Sequence, residues 1–426
     1  MKKLLFLRSV VTVLLFMVIA SCEKPENNKI ASEEENVPEE VIVESGPLVL
    51  TKAQEGFIVA DNTFAVNLLA EMDSLYADEG YFFSPFCIST ALSMLLNGTQ
   101  GETAKEIIDA IGHGDDIDAV NDYYNQILSK SVLWDSTVTL QIANAMISNK
   151  NRSIKQRYSN TLKSEYFADV SSFDFSNSGQ VLDYINGWCN EKTHGMIPEI
   201  LDEVSPDALL YILNAIYFKG GWSSKFEKEL TDDGKFTKEN GEIVDVRMMH
   251  KTEALYCSWK FGMSLLELPY GNGSFALQVL LPESGASAQA LTSIRENSWS
   301  ELFSHMIPVE VSVDFPKFKV EQRTPYRMIP IVEKLGMSRM FYPSNDFLPM
   351  TEESVFVSNI LHKAALTLDE EGSEASAVTE IEIMATASPG VEPQTFRQEF
   401  RADHPFYYAI VDKVNGLILF MGKYNG

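Results

Sequence analysis

Asp369-Glu370-Glu371-Gly372-Ser373-Glu374-Ala375-Ser376-Ala377-Val378-Thr379-Glu380-Ile381-Glu382-Ile383-Met384 decides how this chain is read. One parity carries Ser373, Ala375, Ala377, Thr379, Ile381 and Ile383; the other carries Glu374, Ser376, Val378, Glu380, Glu382 and Met384. Neighbouring side chains point to opposite faces of a strand, so this is a ribbon with one buried and one wet face. Its leading inward positions are small enough to slide between two strands, and the trailing Ile381 and Ile383 each gain about 1.5–3 kcal/mol on burial. Gly372 stands ahead of it, and Ala387-Ser388-Pro389-Gly390 with Pro393 follows as unpaired loop. The plain reading is an amphipathic edge strand followed by a loop. The sharper one is a loop that can become a strand.

Such a ribbon needs a host sheet. Residues 209–218 form an unbroken apolar run suited to a strand covered on both faces, in the middle of a sheet. Val138, Leu140 and Ile142 alternate as another strand, and strands are expected at Leu361–Leu368 and Tyr407–Val411. Val309, Val311, Val313 and Phe315 alternate with polar residues, then the parity changes to Phe318 and Val320 across Pro316, as a bulge or break would produce. Helical spacing of Phe57, Phe64, Leu68, Met72 and Leu75 predicts a helix over 54–77, and 178–192 reads as another. Ser84-Pro85 has the form of a capped helix start, with Asn97-Gly98 as its end. Gly271-Asn272-Gly273 reads as a hairpin turn. Strands and helices alternate without a regular βαβ beat, so the class is α+β.

The front end has another character. Lys2, Lys3 and Arg8, then an apolar stretch and Ile19-Ala20-Ser21-Cys22, predict a lipoprotein signal over 1–21 with lipid attached at Cys22. Residues 22–46 are an acidic tether: 23–46 hold eight Glu against two Lys, a composition that stays extended. The folded domain then spans 47–426. The chain carries a net charge of −26, which argues against nucleic acid and anionic lipid as partners.

The usual catalytic and cofactor patterns are missing: no G-x-S-x-G, no H-E-x-x-H and no phosphate loop. Cys87, Cys189 and Cys257 form neither a disulfide framework nor a zinc site and read as buried inert thiols. Cys189 and His194 make a poor thiol–imidazole pair because nothing orients the imidazole. No metal and no cofactor is expected, and His250, His305 and His404 read as surface or satisfied core residues.

Tyr81-Phe82-Phe83-Ser84-Pro85-Phe86-Cys87-Ile88-Ser89, the run Asn214-Ala215-Ile216-Tyr217-Phe218-Lys219-Gly220-Gly221-Trp222, Phe315-Pro316-Lys317-Phe318, His362-Lys363-Ala364, Asp369 to Ala375, and Ala402-Asp403-His404-Pro405-Phe406 resemble the serpin signatures. They stand in serpin order from about residue 50 to 426. The resemblance implies an α+β serpin fold of three β-sheets with eight or nine helices and an exposed reactive-centre loop at about 370–400. It also implies a suicide-type protease inhibitor, not an enzyme: a target protease attacks the loop, and the acyl-enzyme is dragged along as residues 373–385 insert into the large sheet beside 209–218. Strand addition of this kind is a recognised mode of recognition.

Residue by residue, the resemblance assigns Glu370, Glu371, Gly372, Ser373, Glu374, Ala375, Ser376 and Ala377 to the loop hinge. Ser84, Asn214 and His362 match the cluster beneath the opening of the sheet, and Lys317 with Glu370 the pair that steadies the loop, an interaction worth about 0–1 kcal/mol if exposed. Cys87 departs from the small hydroxyl usual there. Counting from Gly372 places the reactive bond at Thr386-Ala387. No Lys or Arg occurs between Gly372 and Phe396, so the expected partner is an elastase- or subtilisin-like serine protease, or a papain-like cysteine protease, and not a trypsin-like one. The expected protein is a monomer, lipid-anchored through Cys22 at the cell envelope or outer surface of a bacterium. Two alternatives stand beside it: a non-inhibitory module of the same fold, and a surface lipoprotein that captures glycans or peptides. The latter predicts exposed aromatic platforms, whereas the Trp residues fall in expected core elements.

Overall fold

Thr51 opens the first helix, Lys52–Tyr76, through a capping box: its hydroxyl accepts from Gln54 N at 3.3 Å while Gln54 Oε1 accepts from Thr51 N at 2.9 Å. Phe57, Phe64, Leu68 and Met72 are buried along its core face, and Leu75 is exposed. Ser84 caps the helix Pro85–Leu96, accepting from Cys87 N at 3.1 Å. The computed structural model describes residues 50–130, 134–284, 286–321, 325–373 and 398–426. Among these residues there are nine α-helices, within the eight or nine expected, and the helix Ser178–Lys192 coincides with its sequence-based range.

Among the described residues most of the strands form one hydrogen-bonded sheet of fourteen, twelve along one path and two branching from it, beside a separate pair, Tyr326–Arg327 with Leu361–His362. The three expected sheets are three parts of that joined sheet. In one, Tyr81–Phe83, Leu417–Tyr424, Phe406–Asp412, Phe275–Pro282 and Met263–Tyr270 follow each other. In the second, Asp232–Thr237, Ile243–Lys260, Pro308–Glu321 and Gln398–Arg401 are neighbours. The third runs Pro308–Glu321, Ala365–Leu368, Gly372–Ser373, Leu210–Gly221, Val138–Asn149, Asp169–Phe173. They stay joined because two long strands change partners along their length. The strand Ile243–Lys260 pairs with Met263–Tyr270 only from Tyr256 onward, and Pro308–Glu321 leaves it at Lys317 to pair with Ala365–Leu368 from Phe318.

That change of partner replaces the bulge expected at Pro316. The register from Met248↔Pro316 to Tyr256↔Pro308 runs without a slip, and Phe315 and Phe318 are both buried because the strand passes from one layer to the next between them. The expected strand Leu361–Leu368 is likewise divided into Leu361–His362 and Ala365–Leu368, each with its own partner.

The strand Leu210–Gly221 lies in the middle of its sheet, as its apolar run requires. Ile216 and Phe218 join the main core on one face. Leu213 and Ala215 pack on the other, in a second core that includes Val181, Ile185 and Trp188 of the covering helix Ser178–Lys192. One expectation about the tryptophans is corrected: Trp259 is exposed, because it overhangs the end of its strand beyond the core. Cys87, Cys189 and Cys257 are buried free thiols.

Candidate functional site

The strand Ala365–Leu368 ends in a turn at Asp369–Glu371 and re-enters the sheet as Gly372–Ser373. Asp369 makes the turn by accepting from Glu371 N on its side chain at 2.9 Å, while Asp369 N donates to Gly372 O at 2.9 Å. Gly372 pairs with Gly221 and Ser373 with Gly220, and Ser373 also pairs with Leu368 on the other side. Gly372 has φ +150°, and a Cβ there would stand 2.1 Å from Gly220 O, so only glycine brings the backbones this close. The Ser373 side chain is fully buried with its hydroxyl 2.5 Å from Tyr270 Oη.

The segment that leaves Leu210–Gly221 holds this turn by its carbonyls. Trp222 N donates to Glu371 O at 2.9 Å, the Trp222 indole to Asp369 O at 2.9 Å, and Phe226 N to Glu370 O at 3.0 Å. Trp222 stacks on Tyr270, centroids 4.6 Å apart. The acids are held as well. Glu370 receives Lys317 Nζ at 2.8 Å and the Thr231 hydroxyl at 2.9 Å. Burial works against its charge, but these hydrogen bonds outweigh it and its carboxyl stays below the ordinary range. The pair is therefore not the exposed contact that charge alone suggested, since Glu370 is buried and only Lys317 is partly exposed. Glu371 bridges Lys225 and Lys228, both at 2.8 Å, and those two lysines lower its pKa.

Deeper between the strands lie Ser84, His362 and Asn214. Ser84 N donates to His362 Nε2 at 3.0 Å, so that nitrogen carries a lone pair and the imidazole is neutral. Burial pushes the His362 pKa down to about 4. The Ser84 hydroxyl donates to Leu419 O at 2.7 Å. Ser84 and His362 are thus joined, whereas Asn214 turns to another partner, donating from Nδ2 to Asn144 Oδ1 at 2.5 Å. Asn144 in turn donates to Tyr166 O at 2.8 Å. Asn214 Oδ1 is buried with no hydrogen-bond partner among the described residues. Among those residues the strands Leu210–Gly221 and Ala365–Leu368 share no direct ladder; Gly372–Ser373 separates them, and a small cavity lined by Ile216, Phe218, Ala365 and Leu366 lies between them.

Glu374, Ala375, Ser376 and Ala377 of the hinge, the Thr386-Ala387 bond, Cys22 and the segments 1–21 and 22–46 lie outside the described residues. Burial holds the thiols of Cys87 and Cys189 up at about 12, so neither is a nucleophile. His194 is hydrogen-bonded to Gln141 at 2.9 Å, and its ring lies against Tyr217. Among the described residues no group of His, Cys, Asp and Glu can hold a metal. Sequence reasoning missed Tyr270, Thr231, Lys225 and Lys228. Only the position of Tyr270, immediately before the Gly271-Asn272-Gly273 turn, offered a signal, because that turn places it beside Trp222.

A family model described as serpin (serine protease inhibitor) matches residues 59–426. Iripin-5 of Ixodes ricinus is 31% identical over 378 residues, covering 86% of this chain and 94% of its own length. A leukocyte elastase inhibitor of Xenopus tropicalis is 32% identical over 386 residues, covering 85% and 97%. The solved structure of cleaved Serpin 42Da superposes with a TM-score of 0.78 at 26% identity, covering 88% of this chain and 99% of that one. The chain belongs to the serpin family.

Proposed function

We propose that this protein is a lipid-anchored, monomeric suicide inhibitor of endopeptidases with small or apolar specificity pockets, elastase- or subtilisin-like serine enzymes or a papain-like cysteine enzyme. It would be displayed at a bacterial cell envelope through Cys22, with no cofactor. The observation that carries the reading is the seat of Gly372–Ser373: the first two residues of the ribbon already pair with Leu210–Gly221 on one side and meet Leu368 on the other. Once the Thr386-Ala387 bond is cut, the rest of the ribbon would follow along the same register. Extending 373↔220 and 373↔368 brings Ala375 between Phe218 and Leu366, Ala377 beside Ile216, and Thr379 between Asn214 and His362. Small residues would pass the upper positions, and the Thr379 hydroxyl would donate to the orphan Asn214 Oδ1. A buried unsatisfied acceptor costs about 1–3 kcal/mol, so part of the drive for insertion would be stored in the uncut sheet.

The test is incubation with elastase, subtilisin, papain and trypsin, followed by denaturing gels and mass spectrometry of the released C-terminal peptide. The expected result is a denaturant-resistant adduct with one of the first three, a peptide beginning at Ala387, and a cleaved inhibitor with a higher melting temperature. Clean clipping by all four enzymes with no adduct and no gain in stability overturns the proposal.

A further inference from the structure

The strand Ile243–Lys260 turns into Met263–Tyr270 through Phe261-Gly262, with φ of 50° and 74°. Two left-handed residues in a two-residue hairpin call for Asn-Gly or Asp-Gly. A phenylalanine there is strained, and this one is 61% exposed. The tip therefore forgoes turn stability while displaying an aromatic ring. Trp259, 58% exposed, continues the parity of buried Leu255 and Cys257 but overhangs the core. Tyr256, on the opposite parity, is exposed too, and Ile307 is 67% exposed beside Pro308, the residue paired with Tyr256. Lys260 within the tip is committed inward, its Nζ donating to Leu302 O at 2.9 Å and Ser304 O at 2.7 Å, while Glu283, whose N donates to Gly262 O at 3.3 Å, is exposed beside the turn.

We propose that this hairpin tip seats in the lipid–water interface of a bilayer with uncharged net headgroups; the proposal leans on the lipid anchor above only to bring a membrane near. A protein groove covers one face of a hairpin, whereas here exposed aromatic rings stand on both parities, Trp259 and Phe261 on one and Tyr256 on the other, which a fluid interface accommodates. Trp, Tyr and Phe favour that depth. With a net charge of −26 the chain is repelled by anionic lipid, which selects a zwitterionic surface. The tether also needs such a device. The residues from Cys22 to Val49 could reach at most about 90–100 Å, a length that by itself sets no orientation, so the domain's own surface would choose the side that faces the bilayer. The orientation follows from one strand. Met263–Tyr270 leads from the tip to Tyr270, whose hydroxyl meets Ser373, a distance of roughly 23 Å at strand rise. A seated tip holds Ser373 away from the lipid, while Gln398, paired with Val311 three residues from Pro308, lies nearer to it.

The experiment uses the full chain with Cys22→Ser, which removes the lipid, and vesicles of phosphatidylcholine with phosphatidylethanolamine. The protein is expected to float with the vesicles and its tryptophan emission to shift to the blue, a shift absent in Trp259→Phe. Phe261→Asn is expected to melt a few degrees higher, since it relieves the turn, yet to partition about tenfold less; adding Trp259→Ser abolishes flotation. Flotation equal in the native tip and the double variant overturns the proposal, as does a tip-dependent dimer in sedimentation velocity with no vesicle binding, which would assign the tip to a second copy. Adduct formation with protease in solution is measured in parallel. Its loss with flotation intact defeats the inhibitor reading alone, and the converse defeats this one alone.

Discussion

The top of the slot and its midpoint are bounded by the same two stretches of chain, Leu210–Gly221 and the lead-in from Leu361 to Leu368, yet they are held differently. At the top, the carbonyls of Asp369, Glu370 and Glu371 each have a donor, both glutamates have cations, and Ser373 has Tyr270. At the midpoint, His362 accepts one bond and is too buried to take a proton near neutrality, and Asn214 keeps an unanswered oxygen. The difference separates two tasks. On the proposed reading, the fully satisfied base would act as a pivot that sets the register, and the incompletely satisfied middle would favour the strand that arrives to complete it.

The sharpest way to break this comparison is Ser373→Arg. An arginine there would carry a charge into the fully buried position of Ser373, and an unpaired buried charge costs several kcal/mol, so residues 372–373 should leave the sheet while the fold persists. Protease adducts should fall by more than tenfold and clipped product should replace them; undiminished adduct on denaturing gels would mean that the pivot is not used. A middle-sized effect belongs to pH. The folded His362 titrates at about 4, below its ordinary value. Its neutral form therefore stabilises the fold fully above pH 6.5, and that contribution drains away as pH falls from 6.5 toward 4, by about 3 kcal/mol at 1.36 per unit. Asp412 acts oppositely, since burial raises it to about 7 and it is relieved by acid. The difference between wild type and His362→Gln, which keeps an acceptor for Ser84 N, isolates the histidine. Denaturant melts should show a shallower loss of stability in the variant between pH 6.5 and 4. The smallest effect is expected at Lys225→Met with Lys228→Met. These lysines are exposed enough that the pair contributes about 0–1 kcal/mol, seen as a slight drop in melting temperature at low salt that vanishes at high salt.

Much of the fold could be read before any coordinates because single features settled it. Ser84-Pro85 announced a capped helix and 209–218 a central strand, while the hinge expected at 370–377 lies partly outside the described residues. What stayed illegible depended on which layer lies beside a strand. The parity change at Pro316 has the same sequence whether a strand bulges or changes partner. Trp259 looks like a core residue until its strand is seen to outrun the core. At the site, Ser84, His362, Lys317 and Glu370 were legible through motif order, but the Asn144 partner of Asn214, about seventy residues away in the chain, and the lysines of Glu371 arise only from long-range pairing, which local pattern does not encode.

The strand Pro308–Glu321 carries Gln398–Arg401 along Val311 to Asp314 and Ala365–Leu368 from Phe318 onward. Ser373 meets this strand only through Leu368, which pairs with Phe318, whereas Gln398 pairs with Val311 directly, so the two ends that bound residues 374–397 are tied to one strand seven residues apart. On the proposed reading, a cut between those ends would leave Gln398–Arg401 standing still on its neighbour while the other half is at liberty to travel.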